Sequence, residues 1–312
     1  MISVVMATFN GGKYLQEQLK SILEQSLEPD EIIICDDCST DNTADVIRSM
    51  KKMSKIPIHF WNNKEHLGYG QNFRQAINRA SGDIIFLCDQ DDVWVKNKIE
   101  LCMDIFNKQK NVLALSTGFY LINETSKPLT IFHWNKNVTL KQISWKKFIK
   151  HPKYPGMAMG FRKEIWSDID NMEWKPEIAH DWMINQMAAA RNGMFYLNQK
   201  LVFYRQHSNN TIGLIKNESR KRIIIARLKI IDDLIAGLNV IYYNEFDKQH
   251  YKQHYIKGMI EFQKQRKQIL QTRNVLYLLL YEIGQLKYIS LKSICGDIYV
   301  SIRGRRRKVC AE

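Results

Sequence analysis

Apolar and polar positions alternate on two different periods through the first 90 residues or so. Residues 2–7, 31–35, 56–61 and 84–88 are short apolar runs of strand length. Between them the apolar positions recur at helical spacing, which predicts helices through about residue 25, over 41–52 and over 71–80. Strands alternating with helices predict βαβ units and a parallel sheet. The intervening segments Thr8-Phe9-Asn10-Gly11-Gly12, Asp36 to Thr40 and Gly68-Tyr69-Gly70 are polar or Gly-rich. In such a fold they all open on one edge of the sheet, where ligands bind.

Past residue 94 the pattern is less regular. A helix is expected over about 95–109, a strand over 112–119, an irregular stretch to about 155 and a small-residue strand over 156–162. A helix over 181–191 ends at Asn192-Gly193, and 195–204 reads as one or two strands. From 220 to about 238, Ile223, Ile224, Ile230, Ile231, Leu234, Ile235 and Leu238 recur at helical spacing, with more helix expected to 302. The pattern suggests a domain over 1–213 and a helical region over 214–312.

Charge sharpens that division. Of the net +14, residues 1–213 carry 26 basic and 23 acidic residues, and residues 214–312 carry 20 and 9. The basic excess therefore belongs to the C-terminal third, which carries Arg303-Gly304-Arg305-Arg306-Arg307-Lys308. Basic clusters beside apolar helices suit an anionic membrane surface. No nucleic-acid-binding module accompanies the charge, which argues against DNA or RNA as a partner. No apolar run reaches the 18 or so residues of a membrane span, and the start reads as a strand rather than a secretory signal. Six scattered cysteines fit a reducing compartment; Cys35-Asp36-Asp37-Cys38 lacks the second pair of a zinc site.

The chemistry concentrates in Asp89-Gln90-Asp91-Asp92-Val93-Trp94, directly after the apolar run 84–88. Three carboxylates at a strand's carboxyl end repel one another unless a cation or a ligand donor shares their charge. Mg²⁺ or Mn²⁺ with a diphosphate fits such a set, and a solvated turn capping the next helix fits it as well.

Taken with Val4-Val5-Met6-Ala7-Thr8-Phe9-Asn10-Gly11, Ile34-Cys35-Asp36-Asp37-Cys38-Ser39-Thr40-Asp41 and Ser81-Gly82-Asp83, this run resembles family 2 glycosyltransferases of the GT-A fold. The Asp-Gln-Asp-Asp-Val-Trp form resembles the rhamnosyltransferase-like branch. So do His180-Asp181-Trp182 and Tyr204-Arg205-Gln206-His207-Ser208-Asn209-Asn210. The resemblance covers about residues 1–213 and implies a Rossmann-like, mixed but mostly parallel sheet flanked by helices. It implies an inverting, metal-dependent transfer from a nucleotide-sugar donor to a saccharide acceptor, expected to be lipid-linked, in bacterial surface polysaccharide synthesis. The expected setting is the cytoplasm, on the inner face of the plasma membrane. The donor it suggests first is dTDP-rhamnose, and next a UDP-hexose; a catalytically inactive nucleotide-sugar-binding protein of the same fold is the alternative.

The roles it implies fall on matching positions. Thr8, Phe9 and Asn10 would hold the base, and Asp36 or Asp37 would accept from a pyrimidine N–H. Gly68, Asn72 and Arg205 would contact phosphate or sugar. Asp91 would ligate Mn²⁺ or Mg²⁺ with His207, and Asp89 would meet the ribose or the metal, with Asp92 in support. The diphosphate-binding arginine common in the family is replaced here by Gln71-Asn72-Phe73, with Arg74 one step on. Asp181 would be the general base, with His180 where relatives carry an acid; an Asp there also suits a helix cap. Trp94 and Trp182 would stack on sugar or pack in the core.

Overall fold

The computed structural model describes residues 1–129, 137–150, 152, 154–172, 178–207, 220–243, 250–272 and 274–304. They fall into two compact units, Met1–Asn171 with Ala179–Gly213, and Met172–Ile178 with Leu214–Glu312.

Among the described residues, the first unit is built on nine strands. Four are parallel neighbours: β1 (Ile2–Thr8), β2 (Glu31–Asp36), β3 (Ile58–Asn62) and β4 (Ile84–Cys88). Val4, Val5, Met6, Ile85, Phe86 and Leu87 are wholly buried, as continuous apolar runs must be when a sheet is covered on both faces. The crossovers are α1 (Gly12–Leu23), α2 (Thr43–Met53) and α3 (Tyr69–Arg79), whose apolar faces enter the core at Leu15, Leu19 and Ile22, at Ile47 and Met50, and at Phe73, Ala76 and Ile77.

The sheet continues with β5 (Val93–Trp94), β6 (Ala114–Ile122), β7 (Leu140–Gln142), β8 (Met159–Arg162) and β9 (Met194–Arg205). The spatial order is β3-β2-β1-β4-β8-β6-β9-β5, with β7 also on β9. β8 is antiparallel to both β4 and β6, and β6 runs parallel to β9. The carboxyl ends of β1, β2, β4, β6 and β9 therefore share one edge. β5 pairs antiparallel with β9 through Val93–Phe203 and Trp94–Val202, which folds the acidic run back against the end of β9.

The helices α4 (Lys98–Lys108), α5 (Trp145–Lys150), α6 (Glu164–Asp170) and α7 (His180–Ala190) complete this unit. Residues 194–205 form one strand, with a register shift opposite Thr117 and Gly118. The stretch expected to be irregular holds β7 and α5, and α6 follows the small-residue strand. Each of the three is too short to show a period.

The second unit is helical: α8 (Arg220–Tyr243), α9 (His250–Thr272), α10 (Val275–Ile283) and α11 (Leu291–Gly304). Ile231, Ile269, Leu270 and Leu278 form its central apolar cluster. Among the described residues, no helix is long and apolar enough to cross a membrane.

Candidate active site

The loops after β1, β2 and β4 are tied together before any ligand is considered. Thr8 donates from Oγ1 to Asp36 Oδ1 at 2.6 Å, and Ser39 gives Asp36 its hydroxyl at 2.6 Å and its N–H at 2.8 Å. Asp37 accepts from Asn63 Nδ2 (3.0 Å), Leu67 N (2.8 Å) and Gly68 N (2.8 Å), with His66 Nδ1 3.0 Å from Oδ2. Both carboxylates are buried. One of the pair was expected on a pyrimidine N–H; here both carboxylates order the loops at this edge.

Gln90, unassigned in the sequence, clamps the Phe9 backbone from both sides. It accepts from Phe9 N at 2.9 Å and donates to Phe9 O at 3.0 Å. A Cβ on Gly11 would lie 2.1 Å from Gln90 Oε1, so a side chain there would have to displace this clamp. Asn10 sits at φ 49° and accepts from Thr40 N at 2.8 Å, so its side chain shapes the turn. Phe9 keeps an exposed ring (46%) beside His66, with ring centroids 4.7 Å apart.

Gly68 opens α3 at φ 79° and ψ 158°, a conformation open essentially to glycine alone. Asn72 departs from the expected ligand contact. It is buried, donates to Cys35 O at 2.9 Å and accepts from Asn63 at 3.0 Å, which ties α3 to the end of β2. Arg74 is held by Asp170 through its Nε and Nη2 and does not replace the missing diphosphate arginine.

The acidic run supplies one coherent cluster. Oxygens of Asp89, Asp91 and Asp92 all lie within 4.8 Å of one another. Burial, reinforced by the charges of Asp91 and Asp181, pushes Asp89 up to about 7. Burial, reinforced by the charges of Asp89 and Asp91, pushes Asp92 well above the usual carboxylate range. Asp92 Oδ1 accepts from Arg205 N at 3.0 Å, while its buried Oδ2 has no hydrogen-bond partner. His207 Nε2 lies 2.7 Å from Asp91 Oδ2, and its ring sits 4.9 Å from that of Tyr14.

Arg205 corrects the expectation of a phosphate or sugar contact. Its side chain is fully buried. It donates to Asp91 O (2.7 Å), Ser126 Oγ (2.8 Å) and Glu17 Oε2 (2.7 Å), and its guanidinium lies over the Tyr14 ring. With its donors engaged by the protein, it positions the backbone of the acidic run and does not reach for a ligand. Trp94 is likewise a packing residue. It is 3% exposed, edge-on to Phe86, and the ammonium of Lys98 covers its face at 3.5 Å.

Lys98 is a site residue that sequence reasoning missed. It is fully buried, donates to Met157 O at 2.9 Å, and its charge opposes the upward shifts of Asp89 and Asp92. Burial in turn lowers Lys98 to about 8. One signal was readable: a lysine at the first position of a helix opposes the helix dipole and needs another reason to be there.

Asp181 stands in the first turn of α7 and does not cap it; the N-cap is Ala179, with no side-chain bond. Its Oδ2 accepts from Gly156 N at 2.8 Å and its Oδ1 from Trp182 N at 2.7 Å. Its charge reaches Asp89. His180 does not act as a charged partner. It is buried, stacked on Phe73 at 4.0 Å with neither ring nitrogen hydrogen-bonded, and burial lowers it to about 4. Trp182 is half-buried, tilted against Phe148 at 6.1 Å.

Three crowded carboxylates, one with an unpartnered buried oxygen, form an all-oxygen donor set that fits a hard divalent cation. The Glycosyl transferase family 2 profile matches residues 3–169. The dTDP-rhamnosyl transferase RfbG of Shigella flexneri is 31% identical over 223 residues, covering 67% of this chain and 73% of RfbG. WfgD of Escherichia coli, a UDP-Glc:α-D-GlcNAc-diphosphoundecaprenol β-1,3-glucosyltransferase, is 29% identical over 152 residues, covering 48% of this chain and 56% of WfgD. The mannosyltransferase PcManGT of Pyrobaculum calidifontis, solved with GDP-Man and Mn²⁺, superposes with a TM-score of 0.59 over 97% of this chain and 85% of its own. At 13% identity it speaks for the fold alone. The mixed, mostly parallel sheet is thus the GT-A arrangement, and with the profile spanning more than half of the sequence, the chain belongs to glycosyl transferase family 2.

Proposed function

We propose that the protein is an inverting glycosyltransferase that moves a sugar from a nucleoside-diphosphate donor to a hydroxyl of a saccharide acceptor. The observation that carries this reading is the gathering of Asp89, Asp91, Asp92 and His207 at the carboxyl edge, with the Asp181 carboxylate on a separate helix near enough to raise Asp89. A single displacement needs those two parts apart: one to hold the leaving diphosphate and one to take the acceptor's proton.

Asp89, Asp91 and His207 would hold Mn²⁺ or Mg²⁺, whose chemistry there is to offset negative charge on a nucleoside-diphosphate leaving group. Asp92 and Arg205 fix the backbone of that run, and Lys98 limits its mutual repulsion from below. The Thr8-Phe9-Asn10 turn, held by Gln90 and Ser39, presents the exposed Phe9 ring to the base. Asp181, oriented by two backbone N–H groups, takes the proton from the attacking hydroxyl.

The name of RfbG supports dTDP-rhamnose as the first donor to try, with a UDP-hexose next. The name of WfgD supports a lipid-linked acceptor, and hence a place in bacterial surface polysaccharide synthesis on the inner face of the plasma membrane. A donor panel scored for nucleoside-diphosphate release with Mn²⁺, Mg²⁺ or EDTA tests the reading. Release with one donor that stops in EDTA is expected. Full release in EDTA removes the cation from the account, and no release with any donor and acceptor removes the transfer itself.

A further inference from the structure

We propose that the outward faces of α10 and α11 seat the protein on an anionic lipid surface. In α10, Leu278 and Glu282 point inward and are fully buried, yet the opposite side is just as apolar. Leu276, Tyr277, Leu280 and Ile283 are exposed at 67%, 55%, 64% and 50%. An exposed helix face this apolar calls for cover by protein or lipid. At nine residues α10 is far too short to cross a bilayer, which leaves a helix lying in the interfacial plane. In α11, Leu291 and Ile302 are also exposed, at 66% and 56%, three turns apart on one helical face.

The distribution of charge selects the occupant. Residues 274–304 contain two acids, Glu282 and Asp297, and both are wholly buried. Arg266 bonds to each of them, and Arg227 bonds to Asp297. The arginines that neutralise them come from α8 and α9, so the acids lend no negative charge to the outside. The outer surface keeps Lys287 and Lys292, and the chain continues with Arg303, Arg305, Arg306, Arg307 and Lys308. Apolar side chains with basic neighbours and no exposed acid match a bilayer carrying anionic headgroups. A second copy of the chain would set the same positive charges against each other.

This inference does not depend on the glycosyl-transfer reading, because vesicle binding needs neither donor nor acceptor. The test is co-sedimentation of the full chain with phosphatidylcholine vesicles, with and without phosphatidylglycerol. Binding that requires phosphatidylglycerol and weakens with salt is expected. A variant combining Leu276→Ser, Leu280→Ser and Ile283→Ser is expected to bind about tenfold more weakly or worse, since it removes apolar area that would enter the interface. These side chains point away from the helical core, so an unchanged melting temperature and unchanged nucleoside-diphosphate release serve as the folding control. A second variant, Lys287→Glu with Lys292→Glu, is expected to lose the preference for phosphatidylglycerol. Equal binding by the serine variant and the parent overturns the proposal. So does a parent that ignores vesicles but self-associates through this face, with the serine variant monomeric.

Discussion

At the scale of single residues, the site places its charges at some cost and arranges compensation around them. Asp91→Asn removes a carboxylate from the cation set while keeping its size, so the protein is expected to fold normally. Transfer is expected to fall by about 10²–10³-fold, the range for losing one electrostatic contact to developing charge; steady-state assays against a matched melting curve check this. Arg205→Ala is expected to act differently. Removing the buried guanidinium strands the acceptors it holds, Asp91 O and Ser126 Oγ among them, at a cost of about 1–3 kcal/mol, so the melting temperature should drop along with activity. A variant with parental stability and only a raised KM for the donor would restore Arg205 as a ligand contact.

The raised Asp89 pKa also sets a pH dependence. Free in an unfolded chain Asp89 ionises near its ordinary 3.8, whereas in the folded chain it keeps its proton up to about 7. Between those values the folded state binds the extra proton, so this group's contribution makes stability fall as pH rises, levelling off above about 7. His180, held neutral down to about 4, contributes with the opposite sign between about 4 and its ordinary 6.5. A cation at Asp89 competes with the proton, so the thermal upshift caused by Mn²⁺ is expected to grow from pH 5.5 to pH 7.5. Equal upshifts at the two pH values contradict the assignment.

At the scale of elements, the strand ends set the site's geometry, and the glycines beside them are constrained. Gly68→Ala forces a Cβ into a conformation that costs about 1–3 kcal/mol. Its N–H is bonded to Asp37, so the loop should loosen, and a higher donor KM with a modest loss of melting temperature is expected. Much of this level was legible in the sequence. The runs at 2–7, 31–35 and 84–88 announce strands because both of their faces are buried, and the polar loops between them announce the ligand edge. The two-residue β5 escaped notice because no periodicity exists at that length, although it carries Asp91 and Asp92 back to His207. The short α6 shows only Ile165, Trp166 and Ile169 as apolar positions, too few to separate from a loop.

At the scale of the whole molecule, the sequence shows which residue types carry chemistry more readily than it shows where they point. The acidic run, Asp181 and His207 were all singled out, and the structure brings Asp89, Asp91, Asp92 and His207 together. The same reading placed Arg205 and Asn72 on the ligand and left Trp94 open between stacking on sugar and packing, whereas tertiary contacts bury all three. A charged or amide side chain in a motif looks the same in sequence whether its partner is a substrate or the protein itself. Lys98 and Gln90 show the converse: their partners lie 59 and 81 residues away, so no local pattern shows what they hold. The uneven net charge belongs to this scale too, and only the burial of Glu282 and Asp297 shows how basic the outer surface of α10 and α11 is.

The central claim is that Asp181 accepts the proton from the attacking hydroxyl while a separate set of residues holds the donor. Asp181→Asn tests it most directly, with transfer rate and donor affinity measured on the same preparation. A fall in kcat of about 10²–10⁴-fold, the contribution of a positioned general base, is expected, with donor affinity by calorimetry and melting temperature close to the parent's. Transfer within a few-fold of the parent, or a loss traced wholly to donor binding, would contradict it.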